Sequence, residues 1–125
     1  MCQNMGSAST FIMGKQVKAI ATLSRDRSPL MPDLATAHEQ GLTGFDVVTW
    51  NAFFLPKGAS SDVVNKLNDA TSQAIDTPAI KNRLHDLGVT GVAPKRRSPE
   101  YLAKFVVDEI SRWAGPIKAN GLQVD

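Results

Sequence analysis

The sequence predicts an α/β fold with a short sheet and several packed helices. Two segments rich in β-branched and aromatic residues, 16–24 and 44–54, are typical of strands with both faces covered. After Pro56, apolar residues recur at spacings of three and four, which indicates amphipathic helices. Because the strands are few for a sheet protein, we expect unpaired sheet edges.

The connection after the first predicted strand contains a capping box. Thr36 stands three residues before Glu39, so its hydroxyl can accept from the N–H of Glu39. The carboxylate of Glu39 can in turn accept from the N–H of Thr36. This spacing predicts a short helix that begins at Ala37 and ends at Gly41, since glycine readily takes the left-handed conformation common at helix C-termini.

Three further helix starts carry a serine or threonine cap, two of them followed by proline. They are Ser60 or Ser61, Thr77-Pro78, and Ser98-Pro99-Glu100. The segment 89–94 between the last two helices is predicted as a short strand or extended segment. Gly115 and Pro116 are expected to break or kink the last helix, because proline cannot donate to the helical ladder.

Length and charge favour one small domain with no nucleic-acid partner. The 125 residues carry 14 basic and 12 acidic side chains and a net charge of +2. The run Lys95-Arg96-Arg97 is interpreted as a solvated loop before a helix, with a phosphate site as the alternative. No apolar stretch is long enough to span a membrane, and no signal peptide is visible at the N-terminus.

The motifs of catalytic and metal sites are missing from the sequence. His38 and His85 have no partner at metal-ligand spacing, and Cys2 is the single cysteine. No G-x-S-x-G, G-x-G-x-x-G or Walker loop occurs. We therefore expect no catalytic residue, no metal and no cofactor, and an enzyme is the least favoured class of function.

An ordered series of motifs runs from a Gly-Lys pair through Pro-Asp and Thr-x-x-Glu-x-Gly to a tryptophan and a proline before a long helix. Its members are Gly14, Arg27, Pro32, Asp33, Thr36, Glu39, Gly41, Phe45, Trp50 and Pro56. The series resembles the tripartite tricarboxylate transporter receptor family, the TctC-like or Bug-type periplasmic solute-binding proteins. The segments "RLHDLGV", "SPEYLAKFVVDEISRW" and "ANGL" are also similar to that family. Ala35, where the family has proline, and the Gly115-Pro116 pair depart from it.

The resemblance implies a partial periplasmic-binding-protein type II-like fold, the C-terminal portion of a two-lobe protein. Residues 1–24 would then be the end of one lobe with the crossover strand, and residues 25–125 would return to the other lobe. It further implies periplasmic localisation and a small organic acid, such as a di- or tricarboxylate, as the ligand. Membrane permease subunits would be the partners.

Four residues are candidate ligand contacts, and none is a catalytic or metal-binding candidate. Asn4, Ser7 and Ala8 would stand at a helix N-terminus if the first helix starts near Ser7, and free N–H groups there favour an anion. The alternative for Ser7 is a role as N-cap alone. Ser24 ends the crossover strand, where ligands of open α/β sheets bind.

Three neighbouring residues are interpreted as structural. Trp50 is expected in the buried core rather than at the border of a cleft. Arg25 and Arg27 are expected to pair with Asp26 or Asp33 at the surface rather than to attract a carboxylate ligand.

Two functions remain open. The first is a solute-binding component that binds a small organic acid without catalysis, with weak or no affinity in the isolated chain, because half a cleft lacks the opposing contacts. The second is a truncated structural or interaction module that forms a homo-oligomer through its exposed sheet edges and no longer binds ligand.

Overall fold

The computed structural model describes residues 2–122. The regular elements, in chain order, are α1 (Met5–Met13), α2 (Ser61–Asp76), α3 (Pro78–Asp86), a 3₁₀ turn (Pro94–Arg96) and α4 (Pro99–Ala119). The chain divides into two compact units. The first unit comprises the residues up to Phe54 and Ile75–Gly91, and the second unit comprises Leu55–Ala74 and the residues from Val92 onward.

The lobe boundary expected after residue 24 falls inside the first unit, since residues on both sides of it belong there. The assignment of 1–24 and 25–125 to different lobes stays a prediction.

The two predicted strands are not helical, but they pair over very little of their length. Among the described residues, sheet pairing is limited to one parallel bridge between Thr22 and Thr36. There the N–H of Thr22 donates to the carbonyl of Ala35 (3.1 Å), and the N–H of Ala37 donates to the carbonyl of Thr22 (2.8 Å). A strand needs a neighbour to hydrogen-bond its backbone, so high β-propensity alone does not produce a ladder in either segment.

The best-buried residues surround this bridge. Thr36 is 1% exposed, and Thr22 and Ala37 are each 7% exposed. The hydroxyl of Thr36 accepts from the N–H of Glu39 (3.0 Å), whereas the buried hydroxyl of Thr22 has no hydrogen-bond partner. A buried polar atom without a partner loses its hydration and gains nothing in exchange.

Replacing Thr22 by valine is therefore expected to raise the free energy of unfolding of the first unit by about 1 kcal/mol, because valine has the same shape and no polar atom to desolvate. Urea denaturation measures the change. The control is Thr36→Val at the buried partner of the bridge, which removes the acceptor for the N–H of Glu39 and should lower stability. If both variants were destabilised alike, the hydroxyl of Thr22 would have to be bonded in solution.

The predicted capping box is confirmed, but the helix predicted after it is wrong. The carboxylate of Glu39 accepts from the N–H of Thr36 (2.7 Å), in return for the bond that the threonine hydroxyl makes. Residues 37–41 form a turn instead of a helix. Gly41 then takes a positive φ of 99°. Five residues are too few to offset the cost of helix nucleation, so the caps close a single turn.

The later helix starts agree with the sequence. The hydroxyl of Ser60 accepts from the N–H of Val63 at the start of α2 (3.5 Å), and Thr77 precedes α3. The hydroxyl of Ser98 accepts from the N–H of Tyr101 at the start of α4 (3.1 Å).

The break expected at Gly115-Pro116 does not occur, because α4 continues to Ala119. The side chain and the N–H of Asn120 both donate to the carbonyl of Pro116 (2.9 and 3.2 Å), which closes the last turn after the proline.

The basic run before α4 is only partly solvated. Lys95 and Arg96 lie in the 3₁₀ turn, but Arg97 is half-buried and donates to two carbonyls of the second unit. Its Nε donates to Val92 (2.7 Å), and one terminal nitrogen donates to Ser72 on α2 (3.2 Å). The interpretation of this run as a solvated loop is therefore wrong for Arg97, since a guanidinium can satisfy several carbonyls at once.

Candidate functional site

The candidate ligand contacts near the N-terminus surround the start of α1. The helix begins at Met5 with Asn4 as its N-cap, so the expectation of a start near Ser7 with Ser7 as cap is wrong. Asn4 has extended backbone angles (φ −62°, ψ 138°), and its side chain caps no helical N–H. Ser7 lies instead in the first turn and is exposed.

The side chain of Asn4 is bound to a residue far away in the sequence. The hydroxyl of Thr49 donates to Oδ1 of Asn4 (2.7 Å). Because the amide oxygen is engaged, the NH₂ group of Asn4 is the part of the side chain that can donate to a ligand. Sequence reasoning missed Thr49. A signal existed, because Thr49 is the one hydroxyl residue in the apolar segment 44–54.

The N-terminus of α1 offers backbone donors, but Ala8 is not one of them. The N–H of Ala8 donates to the carbonyl of Asn4 (2.9 Å) as the first hydrogen bond of the helix. The N–H groups of Met5, Gly6 and Ser7 precede that bond and have no acceptor inside the helix. Ala8 can therefore contact a ligand only through its methyl group.

A close backbone approach holds this helix start in place. A Cβ atom on Gly6 would lie 2.5 Å from the carbonyl oxygen of Leu87, the residue that follows α3. Gly88 takes a positive φ of 69°, and its own Cβ position is occupied by Leu30 (2.7 Å). The first turn of α1 thus packs directly against the end of α3 within the first unit.

The neighbours of Ser24 contact residues 46 and 47 of the segment whose Thr49 contacts Asn4. The N–H of Val47 donates to the carbonyl of Leu23 (2.9 Å), and the N–H of Arg25 donates to Oδ1 of Asp46 (3.1 Å). Val47 and Thr49 are two residues apart, roughly 7 Å along an extended chain. The segment 46–49 therefore contacts both the neighbours of Ser24 and the side chain of Asn4.

The hydroxyl of Ser24 is already used locally. It donates to the carbonyl of Asp26 (2.7 Å), and the residue is half-buried. A hydroxyl oxygen retains acceptor capacity when its proton is donated, so Ser24 can still accept from a protonated ligand group.

Trp50 follows directly after this segment and is 37% exposed, so the expectation of a buried core residue is wrong. The aromatic ring remains accessible because the extended segment that carries it forms no ladder there.

The arginines beside Ser24 do not pair as the sequence suggested. Arg27 pairs with Glu39 rather than with Asp26 or Asp33, and its Nε lies 3.0 Å from each carboxylate oxygen. A terminal nitrogen of Arg27 also donates to the carbonyl of Pro32 (2.9 Å). Sequence reasoning missed the Arg27–Glu39 pair because the two residues are twelve positions apart and a turn of the chain brings them together.

Arg27 and the N–H of Thr36 together hold the pKa of the Glu39 carboxyl below its ordinary value of 4.5, with the Arg27 hydrogen bond as the larger cause. A carboxyl whose pKa is depressed by folding stabilises the folded state fully above its unfolded pKa. That stabilisation is lost as the pH falls through the folded pKa.

Arg27→Gln is therefore expected to raise the pKa of Glu39 towards 4.5 and to reduce the loss of stability on acidification below that pH. Carbon-detected NMR titration of the Glu39 carboxyl measures the first effect, and thermal melting against pH measures the second. Arg25→Gln is the matched control, because it removes the same charge from a side chain that makes no ion pair among the described residues. Equal effects of the two variants would contradict a specific Arg27–Glu39 contact.

The described residues contain neither a cluster of metal-ligating side chains nor a helix suited to span a membrane. No group of three or more His, Cys, Asp and Glu side chains within residues 2–122 is placed to hold a metal ion. None of the helices described is both long and apolar enough to cross a membrane.

An open groove in the first unit contains none of the four candidate residues. It lies between residues 12–19 and 30–34. Its lining is mainly apolar and also includes Lys15, Lys18 and Asp33.

Solved structures of periplasmic binding proteins share this fold. The chain superimposes on the periplasmic binding protein BugD with a TM-score of 0.78 and 33% identity, over 93% of this chain and 38% of BugD. It superimposes on MatC from Rhodopseudomonas palustris, solved with bound malate, with a TM-score of 0.76 and 40% identity, over 87% of this chain and 37% of MatC. These likenesses confirm the predicted fold class, a partial periplasmic-binding-protein fold.

The chain belongs to the TctC family, the receptors of the tripartite tricarboxylate transporter family. It matches the family over residues 1–122. This confirms the family that the ordered motifs indicated. A curated relative is the "UPF0065 protein in tcbD-tcbE intergenic region" of Pseudomonas sp. (strain P51), which is 36% identical over 90% of this chain and 33% of the relative. The chain spans about a third of the length of the curated relatives that it matches first.

Proposed function

We propose that this chain forms part of a periplasmic receptor that binds a small organic acid without catalysis and delivers it to a membrane permease. Membership of the receptor family supports a role in solute binding. The structure of MatC, a 40% identical relative solved with bound malate, supports a carboxylate as the ligand.

The observation that carries the proposal is the hydrogen bond between Thr49 and Asn4. It orients the Asn4 amide at the start of α1, so that the NH₂ group and the free helical N–H groups are donors on one short stretch of chain. A carboxylate needs such donors, and the positive end of the helix dipole adds attraction. Ser7 would add a hydroxyl donor from the first turn, Ala8 a methyl contact, and Ser24 an acceptor for a ligand hydroxyl.

Malate is the ligand to test first. NMR titration of the ¹⁵N-labelled chain should show saturable shifts of the Asn4, Ser7 and Ser24 amides, with a dissociation constant of about 1–10 mM. The affinity is expected to be weak because one side of a cleft excludes water poorly.

Asn4→Ala is expected to weaken malate binding by about threefold to tenfold, since it removes a donor to a charged group. Ser111→Ala is the matched control, because Ser111 is an exposed polar residue of α4 in the second unit. Shifts that lie only in the second unit, or equal binding by both variants, would contradict the proposed site.

A further inference from the structure

The hydroxyl of Ser24 has a defined direction of hydrogen bonding. Its oxygen lies 2.7 Å from the carbonyl oxygen of Asp26, and a carbonyl can only accept, so the serine donates its proton there. A serine oxygen that has donated its one proton keeps only lone pairs for other partners. Towards a ligand, Ser24 is therefore an acceptor that needs a donor opposite it.

The backbone around Ser24 is held on both sides by another segment of the first unit. On one side, the N–H of Val47 donates to the carbonyl of Leu23 (2.9 Å). On the other side, the N–H of Arg25 donates to Oδ1 of Asp46 (3.1 Å). A hydroxyl on a backbone held at two points can discriminate between ligands, because it does not move to suit each of them.

The start of α1, which the same segment also contacts, has the opposite character. Thr49 engages the amide oxygen of Asn4, so the NH₂ group of Asn4 is left as a donor beside the first N–H groups of the helix. Donors at the start of α1 suit a carboxylate, whereas the acceptor at Ser24 suits a hydroxyl. The two ends are connected through residues 47–49.

This order of donors and acceptors defines a class of ligand. An ionised carboxylate has acceptors only, so a carboxylate that faced Ser24 would leave no proton between the two oxygens. A ligand hydroxyl supplies that proton. A site that hydrogen-bonds a ligand hydroxyl disfavours the analogue that lacks it, because the polar group of the protein is then left unpaired.

We propose that Ser24 selects hydroxy acids over acids of the same charge that lack the hydroxyl, with the ligand hydroxyl donating to Oγ of Ser24. The inference rests on the proposed function, because it requires a carboxylate bound at the start of α1. It adds the ligand group that decides between acids which the carboxylate contacts alone would bind equally.

Malate and succinate separate this selection from an effect of charge. The two acids carry the same carboxylates and differ by the hydroxyl of malate. The exposed guanidinium of Arg25 therefore attracts both alike, and a difference in affinity belongs to the hydroxyl. NMR titration of the ¹⁵N-labelled chain should give a dissociation constant about threefold to tenfold lower for malate than for succinate, the usual effect of one hydrogen bond.

Two variants of Ser24 test the role of its oxygen. Ser24→Ala is expected to reduce the affinity for malate to that for succinate, whereas Ser24→Thr keeps a hydroxyl and should retain the preference. In the unaltered chain, malate should also shift the Ser24 amide more than succinate does at equal saturation. That comparison needs no variant to fold.

Two controls separate the hydroxyl of Ser24 from its surroundings. Ser28 is a half-buried serine of the same loop, and its hydroxyl accepts from the N–H of Leu30 (3.3 Å). Ser28→Ala should leave the ratio of the two dissociation constants unchanged. Arg25→Gln should change both dissociation constants by the same factor, because it alters charge alone.

The outcomes distinguish this inference from the proposed function. Equal affinities for malate and succinate, or a preference for malate that persists in Ser24→Ala, would overturn the selection by Ser24 and leave carboxylate binding intact. Binding of neither acid would overturn the proposed function and this inference with it. A preference for malate that is lost in Ser24→Ala and kept in Ser24→Thr would establish the contact.

Discussion

Replacing Gly6 by alanine is expected to lower the free energy of unfolding of the first unit by about 1–3 kcal/mol, the usual cost of overfilling a packed contact. The new methyl group would lie 2.5 Å from the carbonyl oxygen of Leu87. A backbone carbonyl cannot rotate away as a long side chain can, so α1 or the end of α3 must move. That displacement outweighs the better helix propensity of alanine, which is about 1 kcal/mol.

The same substitution should disturb the candidate site, because Asn4 is the N-cap of α1, the helix that contains Gly6. We expect the Asn4 side-chain amide resonances to shift as the bond from Thr49 lengthens, and urea denaturation to show the loss of stability. Gly115→Ala is the matched control. Gly115 also lies in a helix, nothing lies within 4 Å of its Cβ position, and alanine there should raise stability by about 0.5–1 kcal/mol. A stabilised Gly6→Ala variant would contradict the close contact with Leu87.

Replacing Arg97 by alanine is expected to lower the free energy of unfolding of the second unit by about 2–3 kcal/mol. The guanidinium donates to the carbonyls of Val92 and Ser72, and both lose a charged donor in the variant. The carbonyl of Arg97 itself accepts from the side chain of Asn68 (2.5 Å), so the residue connects α2 to the segment before α4.

Arg96→Ala separates this role from the effect of charge. The Arg96→Ala variant also removes one positive charge, but from a side chain that is exposed. It should change the free energy of unfolding by less than about 0.5 kcal/mol. Thermal melting of both variants at two salt concentrations measures the difference. Equal losses that shrink at high salt would indicate a general charge effect and would refute the role of the Arg97 hydrogen bonds.

The features that the sequence predicted correctly depend on neighbours within about four positions. The caps at Thr36 and Ser98 follow from side chains that hydrogen-bond the nearby backbone. The break between α2 and α3 follows from Pro78, which suits the first turn of a helix because it has no N–H to leave unpaired. The family resemblance rests on the same kind of information, an ordered series of local motifs, and the comparisons confirm it.

The features that the sequence did not predict depend on distant partners. Thr49 reaches Asn4 across 45 positions, Arg27 selects Glu39 over the nearer Asp33, and Arg97 bonds Ser72 across 25 positions. Composition indicates that such groups need partners, but many partners are available to each of them in the unfolded chain.

The two predicted strands form no ladder for a related reason, since pairing also depends on distant residues. Segments 16–24 and 44–54 have the local preference for extended backbone, and neither forms a helix. A ladder also requires several successive backbone hydrogen bonds between two strands. Among the described residues, the two segments share one such bond, from the N–H of Val47 to the carbonyl of Leu23, and the one bridge joins Thr22 to Thr36. Local sequence thus kept each segment out of a helix, whereas its partners depended on packing, because a hydrogen bond between distant residues forms only when the rest of the fold brings them together.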